Sequence, residues 1–159
     1  MEILRIAQCD FPDVLTLNAT AVPHVNLIGQ DELQWFADHA AFVRVANISG
    51  RIAGFLIGMR PGTNYASPNY RWFCDNYQDF AYVDRVVVAQ WARRKRIAES
   101  LYTEFAESQA DAPFMTCEVN LHPPNAGSMR FHERMGFRQV SSQEIHGGEK
   151  EVALMEKLL

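Results

Sequence analysis

Apolar residues recur along this chain in two rhythms, and the alternation between them sketches the elements. Glu2 to Ala7 reads as a short strand, followed by a turn at Phe11-Pro12-Asp13. A loosely amphipathic segment then runs to about Ala21 and ends before Pro23. Leu33, Phe36, Ala37 and Ala40 fall at i, i+3, i+4 and i+7, a helical stripe, with Asp31 as its expected cap and Gln34 in capping-box spacing. Phe42 to Ile48 and Arg51 to Met59 read as strands joined by a Ser49-Gly50 hairpin turn. Residues 60–79 form a long connection with no predicted element, carrying Tyr65, Tyr70, Trp72, Phe73 and Tyr77. Loops of that length inside compact domains are usually functional. Phe80 to Val88 is the most strand-like stretch. Arg93 to about Ser108 is predicted as a helix, with Ala98, Leu101, Tyr102, Phe105 and Ala106 on one face. Phe114 to Leu121 is a further strand, closed by Pro123-Pro124. A short helix is expected from Asn125 to Met135-Gly136, then a strand pair, Phe137–Glu144 and Glu151–Leu158, around Gly147-Gly148. No repeat, low-complexity tract or linker interrupts the pattern, so residues 1–159 are read as one domain. The class is α/β (α+β) with a largely antiparallel sheet.

Composition narrows this picture. At 48% apolar and 11% aromatic the chain is too hydrophobic for disorder, and no run of 18 apolar residues is present to span a bilayer. The opening MEILRIAQCDF lacks the unbroken apolar stretch of a secretory signal. Cys9, Cys74 and Cys117 are far apart, a pattern that predicts reduced, mostly buried thiols in a cytoplasmic protein.

Charge locates the candidate chemistry. The net charge of −4 argues against a general nucleic-acid binder, yet residues 93–96 read Arg-Arg-Lys-Arg. A strand passing through a tight turn into a helix presents unpaired N–H groups and partial positive charge, a ready phosphate site. Arg93, Arg94, Lys95 and Arg96 add direct charge there and call for a ligand with several phosphates. Neither a G-x-x-x-x-G-K-[ST] loop nor a G-x-G-x-x-G turn is present, which sets aside two common nucleotide folds. A solvated basic turn and a nucleic-acid patch are the alternatives at this spot.

Two motifs carry a resemblance. Arg93, Arg96 and Ala98 stand at the three defined places of (Gln/Arg)-x-x-Gly-x-(Gly/Ala), with Arg96 in place of the glycine. About 30 residues on, NAGSMRFHERMGF is similar to an Asn-x-x-Ala, aromatic-Tyr, Gly-Phe sequence, with Asn125, Ser128, Phe131-His132 and Gly136-Phe137 at its places. In both motifs the chain resembles the GNAT (GCN5-related N-acetyltransferase) superfamily, most strongly over residues 80–137.

The resemblance implies a mixed, largely antiparallel sheet splayed between strands 4 and 5 and flanked by helices. It also implies direct transfer of an acetyl group from acetyl-CoA (acetyl-coenzyme A) to a primary amine. Val86, Val87 and Val88 would pair with the pantetheine arm through their backbone. The segment Arg93, Arg94, Lys95, Arg96, Ile97 and Ala98 would meet the pyrophosphate, and Arg96, taking helical φ/ψ, would keep its N–H available. Asn125, Ser128 and Phe131 complete the expected cofactor contacts. His132 stands where the family carries its tyrosine acid, and an imidazolium is chemically able to protonate a thiolate. Asp84 is the first candidate to take the amine's proton, against an ion pair with Arg85 or Arg44, and Glu118 is the reserve. Expected partners are a small-molecule or peptide amine, with no nucleic acid, membrane or metal; homodimerisation is compatible with such a domain. The rival readings are an acyl-CoA-binding sensor without transfer activity and a basic-patch nucleic-acid adaptor.

Overall fold

The computed structural model describes residues 1–159. Seven strands and five α-helices form in the order β1 (Glu2–Arg5), α1 (Phe11–Ala19), α2 (Gln30–His39), β2 (Phe42–Ile48), β3 (Arg51–Met59), α3 (Pro68–Asn76), β4 (Ala81–Val88), α4 (Ile97–Ser108), β5 (Phe114–His122), α5 (Ala126–Arg134), β6 (Arg138–Ile145) and β7 (Lys150–Leu158). The strand order is β1-β2-β3-β4-β5-β7-β6. The pairings β1–β2, β2–β3, β5–β7 and β6–β7 are antiparallel, whereas β4–β5 is parallel. That parallel ladder has three registered pairs, Ala81–Met115, Tyr82–Thr116 and Val83–Cys117. β4 continues to Val88 beyond it, in keeping with the expected splay. No helix is long and apolar enough to cross a membrane.

Contacts divide the chain into two compact units, Met1–Met59 with Arg85–Ser108 and Arg60–Asp84 with Gln109–Leu159. In the first, the β2–β3 hairpin turns at Ser49 (φ 52°) and Gly50 (φ 81°), the paired positive φ values that match strand twist. Gly50 N–H donates to Asn47 Oδ1 at 2.8 Å. β3 is buried along nearly its whole length, and α4 covers it with Ile97, Leu101, Tyr102 and Phe105. Two glycines permit that contact. A Cβ on Gly58 would lie 2.6 Å from Cε2 of Phe105, and one on Gly54 would lie 2.8 Å from the Val87 carbonyl oxygen. Arg85, on the other face of β4 from Asp84, is buried; its Nη1 donates to Asn18 Oδ1 (3.0 Å) and Asn26 O (3.1 Å), and its guanidinium lies over Phe36.

In the second unit the core is aromatic. Tyr70, Phe73, Tyr77, Phe80, Tyr82 and Phe114 meet ring against ring, with neighbouring centroids 5.5–6.3 Å apart. Two of them, Tyr70 and Phe73, are supplied by α3, so the connection expected to lack structure contains a helix. Ser67 caps it, accepting from Tyr70 N–H, and Pro68 opens it where a missing N–H costs nothing. Phe73 is core.

Other expectations shift in detail. The Phe11-Pro12-Asp13 turn is instead the first turn of α1. α2 is capped at Gly29, whose N–H donates to Glu32 Oε2 at 2.9 Å, and not at Asp31. Cys9 and Cys74 are exposed and only Cys117 is buried, contrary to the expectation of mostly buried thiols. The α4 helix begins at Ile97, four residues later than the hydrophobic pattern suggested. Gly58→Ala is expected to destabilise the chain by about 1–3 kcal/mol, because the Phe105 ring has no room to retreat. A lowered urea midpoint at unchanged slope will show it.

Candidate functional site

The first unit carries the basic end of β4. Ala89 N–H donates to Ala53 O at 2.8 Å, holding the strand's exit against β3. A 3-10 turn, Gln90–Ala92, follows, and then the four basic residues in a loop ahead of α4. Arg93 is extended, whereas Arg94 (φ 64°) and Arg96 (φ 58°) are left-handed. Arg96 thus departs from the helical φ/ψ expected of it and takes the conformation a glycine adopts without strain. Its side chain turns outward into an ion pair with Glu99, Nε to Oε2 at 2.7 Å. Ser100 N–H to Arg96 O (3.0 Å) is the first α-helical bond, so the N–H groups of Ile97, Ala98 and Glu99 have no acceptor within the helix. Arg93, Arg94 and Lys95 are exposed and make no ion pair. Orphan amides with three uncompensated cations fit a pyrophosphate, and the outward Arg96 side chain does not obstruct the backbone. Beside this loop, on β4, Val86 and Val88 are half-buried while Val87 is buried.

The second unit carries the titratable groups. Alternation along β4 puts Tyr82 and Asp84 on one face. Glu118 follows Cys117 on β5 as Asp84 follows Val83 on β4, one step past the last registered pair. Tyr65 O–H donates to Asp84 Oδ1 at 2.5 Å. Tyr82 O–H donates to both oxygens of Glu118, at 3.0 and 2.8 Å. Burial first, and the Glu118 charge second, push the Tyr82 hydroxyl well above the usual phenol range, so it stays a donor. Tyr65 thus holds one oxygen of Asp84; Arg44 pairs with Glu104 (3.9 Å), and Arg85 donates to Asn18 and Asn26.

α5 gathers the remaining expected residues. Asn125 caps it by accepting from Ser128 N–H at 3.2 Å. His132 is buried, its Nδ1 2.8 Å from Ser128 O and 3.2 Å from Ser128 Oγ. Phe131 and Phe137 stand edge-on to its ring, with centroids 5.1 and 5.3 Å away. Burial lowers the His132 pKa, and the Ser128 carbonyl only partly opposes it. A neutral ring that donates from Nδ1 to Ser128 O leaves Nε2 as the nitrogen able to exchange a proton.

Some contributors escaped sequence reading. Tyr65 was visible only as one aromatic among several in a long connection. The Tyr82–Glu118 bond depends on a parallel register that no local pattern encodes. Trp91, in the 3-10 turn, and Arg51, at the start of β3, had no signal at all.

Known proteins share the family and the fold. Residues 2–137 match the model of the acetyltransferase (GNAT) family. Phosphinothricin N-acetyltransferase of Streptomyces viridochromogenes is 24% identical over 159 residues, 95% of this chain and 80% of that one. The fold is shared with Naa20 of Chaetomium thermophilum, solved with a bisubstrate analogue (TM-score 0.78, 22% identity, 100% of this chain and 87% of that one). It is shared also with the ribosomal-protein-S18-alanine N-acetyltransferase of Escherichia coli (TM-score 0.72, 13% identity, 99% and 92%). The family model spans both sequence motifs and the loop before α4, and the chain belongs to the acetyltransferase (GNAT) family.

Proposed function

We propose that this chain is an N-acetyltransferase that moves an acetyl group from acetyl-CoA directly to a primary amine. The observation that carries the reading is the loop at 93–98: its backbone keeps a left-handed turn at the motif's glycine position, and uncompensated cations surround the orphan amides of α4. Acetyl-CoA when bound supplies a thioester, an acyl group already activated towards an amine. The backbone of Val86, Val87 and Val88, beyond the end of the β4–β5 ladder, pairs with its amide-bearing arm, and residues 93–98 hold its pyrophosphate. Asn125, Ser128 and Phe131 keep α5 in the form that supports the cofactor. A cytoplasmic setting, with Cys9 and Cys74 reduced at the surface, belongs to the same reading.

Proton traffic falls to the second unit. Asp84 takes the proton of the acceptor's ammonium, with Tyr65 orienting its carboxyl group. Glu118, fixed by Tyr82, adds a second negative charge that favours a cationic amine over an anionic or neutral acceptor. The neutral His132 ring would first take up a proton at Nε2 from solvent, and the resulting imidazolium would return it to the departing thiolate. The relatives' names include a small-molecule acceptor, phosphinothricin, and a protein one, the alanine of ribosomal protein S18. Both are amines, and the carboxylates here suit either.

Three outcomes are expected. Calorimetric titration with acetyl-CoA should show micromolar binding that weakens at least about tenfold in Arg93→Ala/Arg94→Ala, through loss of charge-assisted contacts; absence of binding would sink the acetyltransferase reading. Asp84→Asn should lower kcat by roughly 10²–10⁴ with coenzyme A affinity unchanged, the magnitude of a lost general base. For His132, the folded pKa lies below the unfolded value of about 6.5. The native state therefore binds its proton less readily, and stability falls as pH drops through 6.5 towards the folded value. Scanning calorimetry from pH 8 to 5 should show a shallower fall in Tm for His132→Phe than for the parent. The same variant should lose turnover while keeping cofactor affinity; unchanged turnover would reduce His132 to a packing residue of α5.

A further inference from the structure

Outside the loop at 93–98, the first unit holds a second concentration of positive charge, and it is built around a tryptophan. The guanidinium carbon of Arg51 lies 4.3 Å from the centroid of the Trp91 ring, and Nζ of Lys95 lies 5.4 Å from the same centroid. These residues come from three places: Arg51 opens β3, Trp91 sits in the 3-10 turn after β4, and Lys95 belongs to the basic loop. Neither cation has a carboxylate partner, in contrast to Arg96, which Glu99 neutralises. Trp91 is 37% exposed, unusually open for an indole in a chain this apolar.

Two like charges brought to one aromatic ring repel each other unless something negative joins them. The ring quadrupole holds each cation in place and removes much of the rotamer freedom that a ligand would otherwise have to quench. What results is a pre-positioned pair of cations beside an exposed aromatic face. A phosphate monoester, with close to two negative charges at neutral pH, matches the pair, and a base attached to the same sugar matches the face. Lys95 belongs to both clusters, so this second one lies within a side chain's length of the pyrophosphate loop.

We propose that Arg51, Lys95 and Trp91 form a separate subsite for the phosphate monoester on the adenosine ribose of coenzyme A, and that this subsite sets the preference for the phosphorylated over the dephosphorylated cofactor. The proposal rests on the acetyl-CoA reading above and adds to it Arg51 and Trp91, which the family's motif does not contain. Arg51 and Trp91 act here at a distance from the reacting atoms, as specificity determinants of binding.

Calorimetric titration of the full chain with coenzyme A, with 3′-dephospho-coenzyme A and with adenosine 3′,5′-bisphosphate tests it without reference to turnover. The parent protein should bind coenzyme A at least about tenfold more tightly than the dephosphorylated form, a preference that shrinks as salt rises. In Arg51→Gln the ratio should fall to about threefold or less while affinity for dephospho-coenzyme A stays within about twofold of the parent. Arg51→Lys, which keeps the charge, should retain most of the preference. Arg93→Ala, by contrast, should weaken both coenzymes together. Measurable binding of the bisphosphate that Arg51→Gln abolishes would confirm that the phosphate-bearing ribose, not the pantetheine arm, is what the subsite reads. Equal affinity of the parent for the two coenzymes, or an Arg51→Gln loss shared equally between them, overturns the proposal and leaves the acetyl-CoA reading standing. Binding of neither coenzyme overturns both. Arg51 is exposed, and an unchanged circular dichroism spectrum and Tm will establish that the variant is folded.

Discussion

The approach of Gly54 to Val87 governs how the basic loop before α4 is placed. A Cβ at residue 54 would sit 2.8 Å from the Val87 carbonyl oxygen, so the two backbones meet at a distance that only glycine allows. One residue before Gly54 and two past Val87, Ala89 N–H donates to Ala53 O. Together they fix where β4 ends and in what direction the chain leaves it. The 3-10 turn, the left-handed residues 94 and 96 and the start of α4 all depart from that point. Ile97, the first residue of α4, is itself packed near the same glycine, its Cγ2 3.2 Å from where the Cβ would stand. The position of the orphan amides is thus a consequence of strand packing. The basic side chains decorate a geometry that the hydrophobic interior has already set.

Alternation along β4 does a second job. Tyr82 and Asp84 fall on one face and Val83 and Arg85 on the other, so adjacent opposite charges are sent in opposite directions. Arg85 meets Asn18, Asn26 O and Phe36, while Tyr65 donates to Asp84 and Tyr82 to Glu118. Each tyrosine hydroxyl fixes a carboxylate oxygen without bringing a charge of its own.

Local patterns made much of this legible. The Ser49-Gly50 hairpin was readable because its turn demands positive φ at both residues and glycine supplies one of them. The strands fell close to their observed limits wherever apolar periodicity was strong. α3 escaped although its signals were present: Ser67-Pro68 is a cap followed by a first-turn proline, and Tyr70, Phe73 and Tyr77 are helically spaced. The aromatic and asparagine content of the segment outweighed them as a loop signature. The start of α4 was misplaced for a different reason. Arginine and lysine are good helix formers, so propensity extends the helix backwards through 93–96, and only tertiary packing at Gly54 and Ile97 cuts it short. Tyrosine–carboxylate pairs were beyond reach because they join residues 19 and 36 positions apart across a register that sequence does not state.

The basic quartet shows how far counting charges along a chain can mislead about a site. Four contiguous cations suggest four contacts to phosphate. Arg96, however, is held by Glu99 three residues on, and such an exposed, solvent-screened pair adds little against the cost of a left-handed arginine. Stability therefore does not explain the residue. Its effect is electrostatic and steric: the side chain is drawn aside, the backbone keeps the turn that glycine would have made, and one charge is removed from the loop. Arg51 brings a cation back from 42 residues earlier in the chain, through the indole of Trp91. The cations that face solvent near the loop are consequently Arg93, Arg94, Lys95 and Arg51. They are spread over two strand ends and a turn, and the arrangement suits a ligand whose negative charges are themselves divided between two separate phosphate groups.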